Sequence, residues 1–226
     1  MNRRFEGVDP TRLQGLIWDL DGTLVDSRRD LAQAMNAALL EHGFPPLSLE
    51  AVMAFVGHGA RELVRGCLAG RGDEAAVLES FLVHYAACLV ETTRPYAGIF
   101  EVLTAAQRRG LYQAVLTNKP QHHTERILQG LGLASFFDPV IGGDRLSTRK
   151  PDPQGAIEIL RRWGVGPGSV VLIGDSDTDV RTARAAGLGV LGVRYGIAPD
   201  SLVSVPPDLS VESPWELLEV LGLKAS

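Results

Sequence analysis

Two apolar runs of this chain each end in acidic residues. Residues 16–20 are apolar except for Asp19, and Asp21 follows directly, so the pattern predicts a buried strand that ends in two carboxylates. A second apolar run, 170–173, stops at a glycine and is followed by Asp175. If the two strands are neighbours in a parallel sheet, their carboxylates meet outside its carboxyl edge, where open α/β sheets bind ligands.

The segment 27–92 has helical spacing throughout. Apolar residues at positions 31, 35, 38 and 39 form one stripe of a helix, and further helices are predicted over 50–55, 60–68 and 74–90. Glycine-rich turns separate them, and no strand is predicted among them. The pattern therefore indicates an all-helical block.

After Pro95 the pattern changes to alternating helices and strands. Strands are predicted over 112–116, 139–141, 170–173 and 189–193 and near Leu209, with helices over 121–130, 153–163 and 178–186 and from Trp215. With the strand over 14–20, this order predicts an α/β fold: a doubly wound parallel sheet, Rossmann-like, with an inserted all-helical domain. The predicted boundaries are 1–26 and 93–226 for the α/β core and 27–92 for the insert.

Composition narrows the range of partners. The chain has 226 residues, 45% of them apolar, and no apolar run approaches the roughly 18 residues of a membrane span. Met1–Arg12 lacks the apolar stretch of a secretory signal, so a soluble, cytoplasmic protein is expected. The net charge of −5 argues against a nucleic acid partner, and Cys67 and Cys88 are interpreted as reduced core residues.

Electrostatics favour a cation among the converging acids. Two unit charges about 4 Å apart repel by roughly 4 kcal/mol at an effective dielectric constant of about 20, which a marginally stable domain tolerates poorly. Carboxylates without nearby His or Cys suit Mg²⁺. Any one of these aspartates alone is better interpreted as a helix cap or turn residue; it is the combination of Asp19, Asp21 and Asp175 that indicates a metal site.

Two further segments could bind phosphate. Thr117 and Asn118 end the strand over 112–116, so the hydroxyl and the backbone N–H groups are expected at the same sheet edge. The alternative is that they only cap a helix that starts near Pro120. Lys150 precedes Pro151 in an extended segment and could equally be a solvated surface lysine.

Together these stretches resemble the four sequence motifs of the haloacid dehalogenase superfamily, in particular its Mg²⁺-dependent phosphatases with a helical cap. The stretches that resemble the first to the fourth motif are, in order, Asp19-Leu20-Asp21-Gly22-Thr23, Thr117, Lys150 and Gly174-Asp175-Ser176-Asp177-Thr178-Asp179. Within the superfamily the detail is similar to phosphoglycolate phosphatases, as in Thr117-Asn118-Lys119-Pro120 and Lys150-Pro151-Asp152-Pro153. One departure is His58, where the cap loop of that branch commonly has Asn.

The resemblance implies a two-step hydrolysis of a small phosphate monoester. Asp19 would attack phosphorus to form an aspartyl-phosphate, and Asp21 would protonate the leaving group and later deprotonate water. Mg²⁺ would be held by Asp19, the backbone carbonyl of Asp21 and Asp175, while Asp179 would orient a metal-bound water.

The resemblance also implies how the substrate is held. The phosphoryl oxygens would be bound by Thr117, Lys150 and the backbone amides of Asn118 and Gly22, and His58 of the cap loop could contact the leaving group. The expected partner is a small phosphorylated metabolite, with 2-phosphoglycolate as the first candidate, and the expected assembly is a monomer or homodimer. Sugar phosphates, pyrophosphate, a phosphomutase reaction and a non-catalytic phosphate-binding domain stay open as alternatives.

Overall fold

Six parallel strands form a sheet at the centre of the computed structural model, which describes residues 10–224. The expectation that Met1–Arg12 is not a secretory signal falls mostly on residues 1–9, which lie outside the described residues, as do residues 225–226. The strands are β1 (Gly15–Trp18), β2 (Val25–Asp26), β3 (Arg94–Pro95), β4 (Tyr112–Leu116), β5 (Val140–Ile141), β6 (Val170–Gly174), β7 (Gly189–Val193) and β8 (Leu209–Val211). The sheet order is β5-β4-β1-β6-β7-β8, while β2 and β3 form a separate antiparallel pair.

The strand order reverses at β1. The chain adds β4 and β5 on one side of β1 and then β6, β7 and β8 on the other side. Trp18 lies opposite Val115 of β4 and Ile173 of β6 in the register. A crevice at the carboxyl end of β1 follows from this reversal, and it is the usual ligand position in doubly wound sheets.

Helices cover both faces of the sheet, which confirms the predicted fold class. The helices are α1 (Arg28–Glu41), α2 (Leu49–Met53), α3 (Ala60–Leu68), α4 (Glu74–Cys88), α5 (Ile99–Arg108), α6 (Gln121–Gly130), α7 (Gln154–Trp163), α8 (Asp177–Ala186), α9 (Ser201–Ser204) and α10 (Pro214–Val220). Leu16 and Trp18 of β1 pack in one apolar cluster with α5 and α10, while Ile17 packs in a second with α7 and α8. This alternation is expected because successive side chains of a strand point to opposite faces.

The helices α1 to α4 fill the segment that was predicted to be all-helical, and α4 packs against α1 and α3. Asp30 in the first turn of α1 accepts hydrogen bonds from the backbone N–H and hydroxyl groups of both Thr92 and Thr93. Asp30 thus fixes the start of this segment to its end. The division into separate domains at 27–92 remains a prediction.

Most element boundaries agree with the sequence, and the differences lie at element ends. The helix expected over 74–90 ends at Cys88, and the strand expected over 14–20 ends at Trp18. The pair of β2 and β3 was not expected, because two-residue strands leave no periodic pattern. Cys67 and Cys88 are buried free thiols, as predicted. None of the helices between residues 10 and 224 is long and apolar enough to span a membrane.

Candidate active site

Three carboxylates meet at the carboxyl edge of β1 and β6. Asp19 directly follows β1, Asp175 directly follows β6, and Asp179 lies in the first turn of α8. One oxygen from each of the three lies within 4.8 Å of the others, and all three residues are buried. The two apolar runs therefore bring their acids together, as expected for neighbouring parallel strands.

Lys150 is the cation of this cluster. Its Nζ lies 2.9 Å from Asp19 Oδ1 and 2.6 Å from Asp179 Oδ1, and its side chain is 2% exposed. The second oxygen of Asp179 accepts hydrogen bonds from the backbone N–H and the hydroxyl of Ser176, which closes a capping box at the start of α8. Both oxygens of Asp179 are therefore already used by protein donors.

Asp175 is held by backbone groups. Its Oδ2 accepts hydrogen bonds from the N–H groups of Ile197, at 2.7 Å, and Ala198, at 2.9 Å. Gly22 approaches the same oxygen so closely that a Cβ atom there would lie 2.1 Å from it, and its φ is +83°. A glycine is therefore required at this position. The N–H of Gly22, expected to bind phosphate, instead donates to the carbonyl of Val25 at 2.9 Å.

The cluster is short of positive charge. Burial, reinforced by Asp19 and Asp179, raises the pKa of Asp175 to about 8. Burial also raises the pKa of Asp19 to about 6, although Lys150 acts in the opposite direction. One lysine thus leaves the three acids incompletely compensated. Hard oxygen donors with unmet negative charge fit Mg²⁺ well, and the cluster contains no His or Cys from the part of the chain that the structure describes.

Asp21 is oriented by two side chains that the sequence did not assign to the site. Its Oδ1 accepts a 2.5 Å hydrogen bond from the hydroxyl of Ser27, and its Oδ2 lies 2.8 Å from Nζ of Lys119. Lys119 also donates to the hydroxyl oxygen of Tyr85, at 2.7 Å. Lys119 directly follows Thr117 and Asn118 at the end of β4, a position that could have identified it. Tyr85 lies inside an apolar helix, where no sequence signal distinguished it.

Thr117 and Asn118 reach the same edge from β4. Both are buried and line the pocket with Asp19. The Asn118 side-chain amide donates to the carbonyls of Gly57, at 3.1 Å, and Lys150, at 3.0 Å. Asn118 therefore joins the loop that contains Gly57 to the segment that carries Lys150.

His58, predicted to contact the leaving group, is not brought to the pocket. Its Nδ1 lies 3.2 Å from the hydroxyl of Thr178 in the first turn of α8. The neighbouring Gly57 and Gly59 line the pocket, whereas His58 is not among its lining residues. A contact of His58 with substrate stays a prediction.

A pocket opens between the carboxylates and the helices α1, α3 and α4. It has a volume of about 540 Å³ when counted to its open mouth. Its walls are Asp19, Asp21, Leu31, Val56, Gly57, Gly59, Ala60, Leu63, Phe81, Leu82, Tyr85, Thr117, Asn118, Lys119, Pro120 and His123. The acids thus lie beside a space that can accept a small molecule.

Comparison with known proteins adds a family to this geometry. Residues 16–193 match the haloacid dehalogenase-like hydrolase family. The chain is 41% identical over 201 residues to the phosphoglycolate phosphatase of Pseudomonas putida, covering 85% of this chain and 74% of that protein. It is 40% identical over 202 residues to the phosphoglycolate phosphatase of Rhodospirillum rubrum, covering 85% and 84%.

A solved structure of a related protein has the same fold. A crystal structure from Haemophilus somnus, described as a predicted phosphoglycolate phosphatase, superimposes with a TM-score of 0.88 at 29% identity. The match covers 92% of this chain and 98% of the other. The similarity therefore includes both the sheet and the inserted helices.

Proposed function

We propose that this chain, which belongs to the haloacid dehalogenase-like hydrolase family, is a Mg²⁺-dependent phosphatase that hydrolyses a small phosphate monoester through an aspartyl-phosphate on Asp19. The observation that carries the proposal is the position of Asp19. It is a buried carboxylate paired with Lys150 and clustered with Asp175 and Asp179 at the edge of an open pocket. Such a site supplies a nucleophile and one cation, and its carboxylates could hold the metal ion that would add the remaining positive charge a phosphate requires.

Asp19 is suited to act as the nucleophile. With its pKa near 6, the carboxyl group is mostly ionised at neutral pH. Lys150 fixes one of its oxygens and offsets part of the repulsion between two anions. In the first step a carboxylate oxygen bonds to phosphorus as the bond from phosphorus to the ester oxygen breaks.

Asp21 is placed to move the proton. Ser27 and Lys119 each bind one of its oxygens and so restrict its rotation. In the first step its carboxyl proton passes to the departing ester oxygen, and in the second it accepts a proton from the water that attacks the aspartyl-phosphate. Inorganic phosphate leaves and Asp19 is restored.

Asp19 and Asp175, with the backbone carbonyl of Asp21, would hold the metal. When bound, Mg²⁺ would polarise the phosphoryl oxygens and neutralise charge between Asp19 and the substrate. Because both oxygens of Asp179 accept protein hydrogen bonds, we propose that this residue contributes mainly by positioning Lys150. Thr117 and Lys150 would bind the remaining phosphoryl oxygens.

The relatives support 2-phosphoglycolate as the substrate. Several proteins about 40% identical to this chain carry the name phosphoglycolate phosphatase. A cytoplasmic location and a monomeric or homodimeric state remain predictions.

The test is a panel of phosphate esters assayed with Mg²⁺ and after exhaustive chelation. We expect Mg²⁺-dependent release of inorganic phosphate, with 2-phosphoglycolate showing the highest kcat/KM. Product analysis separates a phosphatase from a phosphomutase, which would return the phosphoryl group to a sugar. Activity that survives chelation would contradict the metal requirement. A low kcat/KM rank for 2-phosphoglycolate would contradict the proposed substrate.

A further inference from the structure

Lys119 is a buried cation shared between the α/β sheet and the inserted helices. Its Nζ lies 2.8 Å from Asp21 Oδ2 and 2.7 Å from the hydroxyl oxygen of Tyr85, and its side chain is 4% exposed. The ammonium also lies 4.5 Å from the centroid of the Tyr85 ring. A lysine buried to this extent is costly unless its donors are used.

Among the described contacts of the Lys119 ammonium group, one N–H has no hydrogen-bond acceptor, and Lys119 lines the pocket. The ammonium carries three N–H groups, and Asp21 and Tyr85 accept two of them. Among the described residues that line the pocket, Lys119 is the one cation, and much of the remaining wall is apolar: Leu31, Leu63, Phe81 and Leu82. Within such walls an ionic contact is stronger than in water.

His123 is a second polar group that waits for a partner in the same pocket. The residue is 8% exposed, and its Nδ1 has no hydrogen-bond partner within residues 10–224. Burial, with the charge of Lys119, lowers the pKa of His123 to about 4, so the imidazole is neutral at pH 7. A buried polar atom without a partner calls for an explanation, and a polar ligand group in the adjoining pocket would supply one.

We propose that Lys119 binds a carboxylate of the leaving group and thereby selects short phosphate esters of 2-hydroxy acids. The inference rests on the proposed function, because it takes the phosphoryl group to be at Asp19 and the ester oxygen at Asp21. Lys119 contacts the carboxylate of Asp21, so a substrate group one or two atoms beyond the ester oxygen is within its reach.

Tyr85 is the positioning residue for this contact. Its hydroxyl accepts from Lys119 and its ring supports the ammonium. Since Tyr85 belongs to α4, the inserted helices would determine the position of the cation that recognises the leaving group.

The test compares two esters on one set of variants. These are 2-phosphoglycolate and 2-hydroxyethyl phosphate, which carries a neutral hydroxymethyl group in place of the carboxylate. We expect the wild-type protein to prefer 2-phosphoglycolate in kcat/KM by about 100-fold, and Lys119→Met to reduce this ratio by about 10- to 100-fold. Loss of the partner of Asp21 slows both esters alike, so the ratio isolates the carboxylate.

Tyr85→Phe provides a milder variant that keeps the ring. We expect it to lower the ratio by roughly two- to fivefold through KM for 2-phosphoglycolate, with kcat little changed. Arg161→Gln removes an exposed charge outside the pocket and serves as the control, with an unchanged ratio.

The outcomes distinguish the two proposals. If the wild-type protein hydrolyses neither of these esters nor any other ester of the panel, the proposed function fails. If it hydrolyses both with a ratio near one, or if Lys119→Met and Tyr85→Phe leave the ratio unchanged, the role of Lys119 is overturned while the phosphatase remains. If Lys119→Met does not fold, the kcat/KM ratios of the wild-type protein and of Tyr85→Phe test the role of Lys119.

Discussion

Two buried lysines pair with acids of the pocket wall, Lys119 from within the wall and Lys150 from behind it, and their surroundings differ. Lys150 lies among acids of the α/β segments, Asp19 and Asp179. Lys119 pairs with one acid, Asp21, and its other contact is Tyr85 of the inserted helices. We call these the acidic end and the helical end of the pocket.

The difference separates chemistry from selection. The acidic end is built from strand ends and the start of α8, elements that pack on the sheet and hold groups rigidly. The helical end adds apolar walls and Tyr85, which contact the leaving group rather than the phosphoryl group in our proposal. Changes at the acidic end should therefore affect all esters equally, whereas changes at the helical end should affect their ranking.

The largest effect is expected from Asp19→Asn. The amide cannot act as the nucleophile, so kcat should fall by at least about 10³-fold for every ester. The measurement is phosphate release under saturating substrate, with circular dichroism to confirm folding. Unchanged turnover would exclude nucleophilic catalysis by Asp19.

Asp179→Asn should have a smaller effect that is also uniform. Lys150 loses one of its two carboxylate partners, and a small displacement of a positioned group can cost about 10²-fold in rate. We expect kcat/KM to fall to this extent for both 2-phosphoglycolate and 2-hydroxyethyl phosphate, with their ratio unchanged. Asp177→Asn is the matched control, since Asp177 lies in the same helical turn but pairs outward with Arg181. A change in the ratio would contradict the assignment of chemistry to the acidic end and of substrate selection to the helical end.

Mg²⁺ should stabilise the protein through the acidic end alone. At about 100 times its dissociation constant, the ion should add about 2.7 kcal/mol to the free energy of unfolding, or roughly 5–10 °C in Tm. The shift should grow from pH 6 to pH 8, because protons compete for Asp175, whose pKa is raised to about 8. In thermal melts Asp175→Asn should lose the shift and Lys119→Met should keep it. A shift that depends on Lys119 would place the metal elsewhere.

The smallest effect is expected for stability, at Asp30, which joins the start of the inserted helices to the segment that follows them. Burial alone would raise the pKa of Asp30, but hydrogen bonds from Thr92 and Thr93 lower it below its ordinary value. Its stabilisation is therefore complete above the unfolded pKa near 3.9 and is lost as pH falls through the lower folded pKa. Asp30→Asn should cost about 1–3 kcal/mol in urea unfolding at pH 7 and less below pH 4. An equal cost at both pH values would show that the charge of Asp30 is unimportant.

The positions of the acids at the acidic end could largely be predicted, because Asp19 and Asp175 directly follow strands in the sequence. An apolar run followed by Asp19, or by Asp175, fixes both the strand and the position of the acid at the sheet edge. The partners of those acids were harder to predict. The N–H groups of Ile197 and Ala198 carry no side-chain signal, and the engagement of the Gly22 N–H by Val25 depends on a turn.

The sequence by itself determined the α/β class, the helical insert and the acids that end β1 and β6, because periodicity and strand-end position are local properties. Only the tertiary structure decided which lysine meets which acid, and that Tyr85 reaches Lys119 from a helix 34 residues away in the chain. Such contacts depend on how the inserted helices pack over the sheet edge. That packing is set by the burial of apolar surface from distant segments, which no short stretch of sequence specifies.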